Sequence, residues 1–342
     1  MKPVTQRDVA LAARVSQNTV SLALRGDPRL PAATRDRIQQ AATKLGYRPN
    51  PLVAALMSAV RQRKGRAAGV VAIVLAGPAR GRVGEHPSLQ RALAGSREHA
   101  AQRGYRVEEF WMQDQRLSPA RLQSMLLARG IRGVVLHPDE ENPVPPALDW
   151  TRFASAVLAV LDPHLGRFHC ASSQAFRNVE IAVMQLRQRG YRRIGLAVPQ
   201  RYDLMVDRLY SGAFAALPDV APRQALLRLF SGTEWNRDTF LGWFAKARPD
   251  VVLTRTTDVR GWLESAGVSI GREIGLVHLG WHTGLKGWAG VDLQAEAMGA
   301  AAVDLVIEQL NSNSFGLPEV PKMVLIAGRW RDGPSIESNR KL

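Results

Sequence analysis

The chain has 342 residues, 46% of them hydrophobic and 22% charged, with a formal net charge of +16. That length supports two or three domains with real cores, and the composition excludes a disordered or low-complexity chain. A single cysteine, Cys170, excludes a disulfide framework within the chain, and no apolar run reaches the length of a membrane span or forms a signal-peptide core, so a soluble, cytoplasmic protein is expected.

The charge is unevenly distributed. Residues 1–66 hold thirteen Lys and Arg against Asp8, Asp27 and Asp36, which puts +10 of the +16 in one fifth of the chain. A basic excess confined to one segment is the footprint of a polyanion-binding surface.

The first helix is expected over 5–13, with Thr5 as its cap and Asp8 completing a capping box. A short turn at Arg14-Val15 leads to a second helix over 17–24, capped by Ser16. Residues 25–28 (RGDP) break the chain, and a third helix follows over 32–45, with Gly46 as its stop. After Pro49-Asn50-Pro51 come a short apolar helical stretch (52–60) and a basic linker, RQRKGR.

Two short helices joined by a tight turn, with polar residues opening the second, follow helix-turn-helix logic. Gln17, Asn18 and Ser21 are then placed to face base edges, Gln and Asn being suited to adenine. Ser16, Thr19, Thr34, Arg25 and Arg29 are polar or basic groups suited to phosphates, which position without specifying.

From residue 69 the texture changes to apolar strands alternating with amphipathic helices. Strands are expected at 69–76, 105–111, 131–137, 155–161, 192–198, 225–230, 250–254, 273–279 and 322–328. Helices are expected at 88–103, 118–129, 176–189, 202–216, 236–247, 257–266 and 294–311. This is the pattern of parallel sheets covered on both faces, and nine strands divide naturally into two halves with a cleft between them.

Enzyme chemistry finds little support. No GxGxxG follows the first strand, and there is no P-loop and no nucleophile elbow. His278 and His282 lie four apart on a strand running into a loop, a spacing that need not face one metal. Cys170 reads as a small core residue. No cofactor, metal or catalytic residue is expected.

The order of residues in VTQRDVALAARVSQNTVSLALRG and TRDRIQQAATKLGYRPNP resembles the N-terminal signature of the LacI/GalR family of bacterial transcription regulators. The matching elements are Val4-Thr5, Asp8-Val9-Ala10, Val15-Ser16, Thr19-Val20-Ser21, Thr34-Arg35, Leu45-Gly46-Tyr47, Pro49 and Asn50. The resemblance implies that Thr5, Tyr47, Asn50 and Val53 join the DNA-binding set. It also implies a hinge helix whose Leu56 wedges into the minor groove, bending the duplex onto more protein. The chain departs from the family at Arg14, where the turn residue is often Gly, at Leu22, at Leu30-Pro31 and in a longer linker.

A weaker resemblance continues through 69–335, where Gly190-Tyr191-Arg192-Arg193-Ile194-Gly195 looks like the family's GHRRIG segment. It implies a fold like that of periplasmic sugar-binding proteins: a small all-α helix-turn-helix domain (1–50), a hinge and linker (51–67), and an α/β effector and dimerisation domain (68–342) of two doubly wound parallel-sheet subdomains. The expected division is 68–168 plus 293–321 for the first subdomain and 169–292 plus 322–342 for the second.

By the same resemblance the cleft takes a small effector, with Trp235, Arg255, Arg208, Trp281 and Asp292 as the contact residues. Gly280-Trp281 stands where many members have an effector-binding Asp, and Arg255 with Arg208 suits a carboxylate or phosphate better than a simple sugar. The implied function is a DNA-binding regulator, a repressor, acting as a homodimer on a pseudo-palindromic operator. Two other readings stay open at this level: an effector-independent DNA-binding protein with a vestigial cleft, and a solute-binding protein or enzyme carrying a basic N-terminal appendage.

Overall fold

Val9, Val20 and Ile38, each fully buried, meet at the centre of three short helices: α1 (Gln6–Ala13), α2 (Gln17–Leu24) and α3 (Ala32–Lys44). The computed structural model describes residues 4–24, 30–47, 69–77, 79–114, 117–139, 143–158, 161, 163–217, 229–230 and 234–337. The helix ends follow the local chemistry. Asp8 Oδ2 accepts from the Thr5 amide at 2.8 Å and from its hydroxyl at 2.7 Å, and Ser16 Oγ accepts from the Thr19 amide at 3.1 Å. Arg14 closes α1 in the left-handed region at φ 51°, and Gly46 follows α3 at φ 68°.

The first large sheet has the order β10-β5-β4-β3-β1-β2, all parallel: β1 (Gly69–Leu75), β2 (Tyr105–Trp111), β3 (Gly133–His137), β4 (Ala154–Leu158), β5 (His169–Ser173) and β10 (Met323–Ile326). Helix α4 (Pro87–Gln102) and the later helix α11 (Ala295–Ser312) cover one face, and α5 (Pro119–Ala128) covers the other. The central strands β1, β3 and β4 are buried on both faces and are nearly continuous apolar runs.

Helices α4 and α11 touch backbone to backbone. A Cβ on Gly95 would lie 2.1 Å from the Glu296 carbonyl oxygen, and one on Gly299 would lie 2.0 Å from that of Ala92. Buried Gln309 ties α11 to β4, accepting from the Ser155 amide at 3.1 Å and donating to its carbonyl at 3.0 Å.

The second sheet has the order β11-β9-β8-β7-β6: β6 (Ile194–Ala197), β7 (Val251–Thr254), β8 (Gly275–Trp281), β9 (Ala289–Asp292) and β11 (Arg329–Arg331), with only β11 antiparallel. Helix α6 (Ala175–Gln188) and the short pair α7 (Gln200–Leu204) and α8 (Leu209–Ala215) lie on one side. Helices α9 (Arg237–Ala247) and α10 (Asp258–Ser265) lie on the other. Tyr191, which replaces the family's His, is buried here and its hydroxyl accepts from the Glu337 amide at 2.9 Å.

Sheet membership corrects the expected subdomain boundaries. Strand β5 pairs with β4, so the first half extends past 168 to Ser173. Strand β10 pairs with β5, so residues 323–326 belong to the first half, and the chain enters the second only at β11. The sequence missed β5, β9 and β11 because none is an apolar run: HCASS, AGVD and RWR are short and polar or small. The single helix expected over 202–216 is two, separated by Asp207 and Arg208 with φ of 53° and 58°; Asp203 Oδ1 accepts from the Tyr210 and Ser211 amides at the start of the second. Of the strand expected at 225–230, Leu229 bridges Leu196 beside β6, and residues 225–228 lie outside the described residues.

Three chain crossings between the halves lie side by side. The Gln174 amide donates to Ile326 O at 2.9 Å, Gln294 Nε2 to Ala327 O at 2.6 Å, and the Gly328 amide to Asn178 Oδ1 at 2.7 Å. Among the described residues no helix is long and apolar enough to cross a membrane.

Candidate functional site

In the three-helix head, Gln17 is the first residue of α2 and is exposed, beside exposed Ser16. Positions 17, 18 and 21 fall within about 100° of arc on the helix, away from the face that buries Val20 and Ala23. Asn18 and Ser21 are placed by position only. Thr19 is half-buried, with its hydroxyl 2.8 Å from that of Ser16. Thr5 is exposed at the start of α1, Thr34 is half-buried in the first turn of α3, and Tyr47 packs partly against the head's core. Arg25, Arg29, Asn50, Val53 and Leu56 lie outside the described residues.

A cleft of about 530 Å³ lies between the two subdomains. It gathers groups from the carboxyl ends of parallel strands, where α/β topology leaves a crevice. His137 ends β3, Ser173 ends β5, Arg255 and Thr256 follow β7, and His278 and Gly280 lie near the end of β8. His86, Pro87 and Leu89 at the start of α4 form part of the opposite wall, and Arg201 and Tyr202 on α7 form another.

Arg255 is the expected contact that the structure brings to this cleft. Its Nη1 donates to the Leu279 carbonyl at 3.0 Å. Its guanidinium carbon lies 5.3 Å from the Tyr202 ring centre, and that of Arg201 lies 4.8 Å from the same ring. Gly280 makes this position available, since a Cβ there would lie 1.4 Å from Arg255 Nη1. The glycine where many family members carry an Asp is therefore the counterpart of the arginine.

Three tyrosine and histidine side chains here have shifted acidities. Burial, and then the charges of Arg255 and His282, push His278 down to about 3, so its imidazole is neutral. Burial, Arg91 and Arg255 lower His282, against the opposing pull of Asp292. Burial raises the Tyr210 phenol.

The other expected contacts lie outside the cleft lining. Trp235 packs in an aromatic cluster, 5.4 Å from Phe230 and 5.3 Å from Trp262, and its indole N–H donates to Asp258 Oδ2 at 3.2 Å. It touches the site through Asp258, which does line the cleft. Trp281 donates from Nε1 to the Trp288 carbonyl at 3.0 Å and lies under the Arg331 guanidinium. Arg208 is the exposed residue that opens α8. Asp292 is buried at the end of β9, bonded to Arg91 at 2.9 Å and Arg331 at 3.3 Å.

His86, His137, Ser173, Arg201, Tyr202 and Tyr210 line the cleft and were not singled out from the sequence. The usable signal for His137 was its place at the carboxyl end of an apolar strand. Ser173 was hidden with β5, and Arg201 and Tyr202 with the misread helix.

Residues 5–50 match the family model described as bacterial regulatory proteins, lacI family. The HTH-type transcriptional repressor CytR of Escherichia coli (strain K12) is 48% identical over 48 residues, 14% of each chain. The maltose regulon regulatory protein MalI of the same strain is 33% identical over 135 residues, 40% of this chain and 36% of MalI. The chain thus aligns with well under two thirds of these relatives' lengths. The solved structure of a transcriptional regulator CelR-cellobiose complex superposes with a TM-score of 0.58 at 18% identity, covering 97% of this chain and 99% of that one, a likeness of fold. Residues 5–50 therefore carry the N-terminal signature of the lacI family of bacterial regulatory proteins, on a chain whose fold is like that of a solved transcriptional regulator.

Proposed function

We propose that this protein is a sequence-specific DNA-binding transcriptional regulator: a repressor that binds a pseudo-palindromic operator as a homodimer and responds to a small molecule in the cleft. The observation that carries the reading is the match over residues 5–50 on a three-helix head with exposed Gln17 opening its second helix. The +10 charge of residues 1–66 supports it, because phosphate contacts supply most of the sequence-independent affinity.

In this reading Gln17, Asn18 and Ser21 read base edges in the major groove. Thr5, Ser16, Thr19, Thr34, Tyr47, Asn50, Arg25 and Arg29 hold the backbone. Val53 and Leu56 belong to a hinge that inserts at the operator centre. The cleft is coupled to the head through the three adjacent crossings: an effector that changes the angle between the halves changes the spacing of two hinges in a dimer.

Selection of duplexes from random DNA by the full chain tests this. A two-fold symmetric consensus with half-sites about one helical turn apart is expected. Binding without sequence preference overturns it. A reporter carrying that consensus gives the sign of regulation, and sedimentation of the complex gives the dimer.

A further inference from the structure

The two walls of the cleft differ in chemistry. The first subdomain contributes an apolar group of Pro87, Leu89 and Ala92 from α4, Leu158 from β4, and Leu293 and Met298 around the start of α11, beside the uncharged polar side chains of Ser88 and Ser173 and the imidazoles of His86 and His137. The second contributes Arg201 and Arg255. Among the described lining residues the one carboxylate is Asp258, whose Oδ2 already accepts the Trp235 indole N–H, and there is no Asn, Gln or Glu. The carboxylates and amides that take pairs of sugar hydroxyls are thus missing from this lining, whose uncharged polar groups are hydroxyls and imidazoles.

Three buried polar atoms of lining residues have no hydrogen-bond partner among the described residues: Arg255 Nε, Thr256 Oγ1 and His278 Nδ1. Buried polar groups are ordinarily satisfied, so each marks a place for a ligand atom. With Nη1 occupied by the Leu279 carbonyl, the guanidinium keeps its Nε–Nη2 edge. Two parallel N–H donors on that edge match the two oxygens of a carboxylate. Gly280 holds this arrangement open, since any Cβ there displaces the guanidinium. His278 beside it is neutral, so Arg255 is the cation at the floor itself while Arg201 stands on α7 over the Tyr202 ring, and a single carboxylate matches the free edge of one guanidinium.

We infer that the cleft binds a small monocarboxylate with an apolar body, its carboxylate gripped by the free edge of Arg255 and its body laid against Leu89, Ala92 and Met298. This rests on the regulator reading for its consequence at DNA, and on the cleft alone for binding. The carboxylate end engages the second subdomain and the apolar end the first, so the ligand spans both halves and favours their approach. The cleft's volume of about 530 Å³ is ample for an aromatic or branched acid of about ten heavy atoms.

Calorimetry and thermal shift on the full chain without DNA provide the test. The probes are phenylacetate, benzoate and isovalerate, with phenylacetamide as the uncharged isostere, and cellobiose, glucose 6-phosphate and orthophosphate as competing chemistries. Saturable binding of at least one carboxylate is expected, with its amide about tenfold or more weaker. Arg255→Gln is expected to remove that preference and leave the amide's weak binding. The carboxylate-to-amide comparison uses the native chain, so it stands if the variant does not fold. Equal binding of acid and amide, tighter binding of cellobiose or glucose 6-phosphate, or no binding by any carboxylate overturns the inference. Selection of operator DNA by the same preparation, without small molecules, fails separately if the regulator reading is wrong.

Discussion

Arg91 and Asp292 join the two α/β subdomains through a single ion pair. Arg91, on α4 of the first subdomain, donates from Nη1 to Oδ1 of Asp292, the last residue of β9 in the second, at 2.9 Å. Nε and Nη2 of the same guanidinium grip Glu296 at 2.6 and 2.7 Å, and Arg331 on β11 reaches the other Asp292 oxygen at 3.3 Å. Asp292, expected as an effector contact, stands instead between two arginines contributed by opposite halves.

Asp292→Asn is expected to destabilise the chain by about 1.5–3 kcal/mol, the scale of a hydrogen bond to a charged group. Burial raises the Asp292 carboxyl, but the Arg91 hydrogen bond, the Gln294 amide, the Arg91 charge and Arg331 outweigh it, so its pKa lies below the usual carboxylate range. The native state therefore binds fewer protons than the unfolded chain. The contribution is complete above the ordinary carboxylate value and is lost as pH falls through the depressed one. Urea unfolding of the two proteins should give curves that differ near neutrality and converge in acid. A constant difference across that range would contradict the assignment.

His278 carries the opposite kind of group with the same sign of pH dependence. Its value falls from 6.5 to about 3 through burial, then Arg255 and His282. Between those values the unfolded chain binds the extra proton, so stability is complete above 6.5 and declines as pH falls towards 3. The decline is at most about 1.4 kcal/mol per pH unit. His278→Gln should flatten the stability profile over about pH 4–6 relative to the native chain. An unchanged slope would mean that the imidazole is not held neutral in the cleft.

The contact between α4 and α11 makes a paired prediction. Gly299→Ala places a Cβ against the Ala92 carbonyl, forces the helices apart and should cost about 1–3 kcal/mol. Gly242→Ala, on the exposed side of α9 with nothing within 4 Å, should stabilise by about 0.5–1 kcal/mol. Thermal unfolding of both variants checks the sign of each. Two shifts in the same direction would refute the packing argument.

Arg14 holds a left-handed conformation at φ 51°, at the turn position where the family often has glycine. Arg14→Gly should stabilise the head by about 1 kcal/mol, because a side chain in that region crowds the following carbonyl. Amide exchange across α1 and α2 should slow in the variant. Faster exchange would show that the arginine side chain contributes more than the backbone strain costs.

Much of the fold was legible because apolar strands such as GVVAIVL and amphipathic helices such as 295–312 carry their own period. The capping at Thr5–Asp8 and Ser16 was equally local. Strand β5 was not legible: HCASS is short and polar or small, and its Ala171 is buried against α11, more than 120 residues away, so no local apolar signal was needed. The same distance effect hid most of the cleft. Arg255 was found because it follows a strong strand, whereas Arg201 and Tyr202 sit on a five-residue helix that the sequence merges with its neighbour. Trp235 was expected as an effector contact, but Phe230, Phe240 and Trp262 pack around it in a cluster that only the tertiary fold assembles.

Helix α2 is the proposed reader of DNA. The direct measurement is the affinity of the full chain for its selected duplex at fixed salt, against a single-base variant of each half-site, before and after Gln17→Ala and Asn18→Ala. A loss of about 1–3 kcal/mol per removed base contact and a collapse of discrimination at the bases read are expected, with non-specific affinity retained. Unchanged affinity and unchanged discrimination in both variants would contradict it.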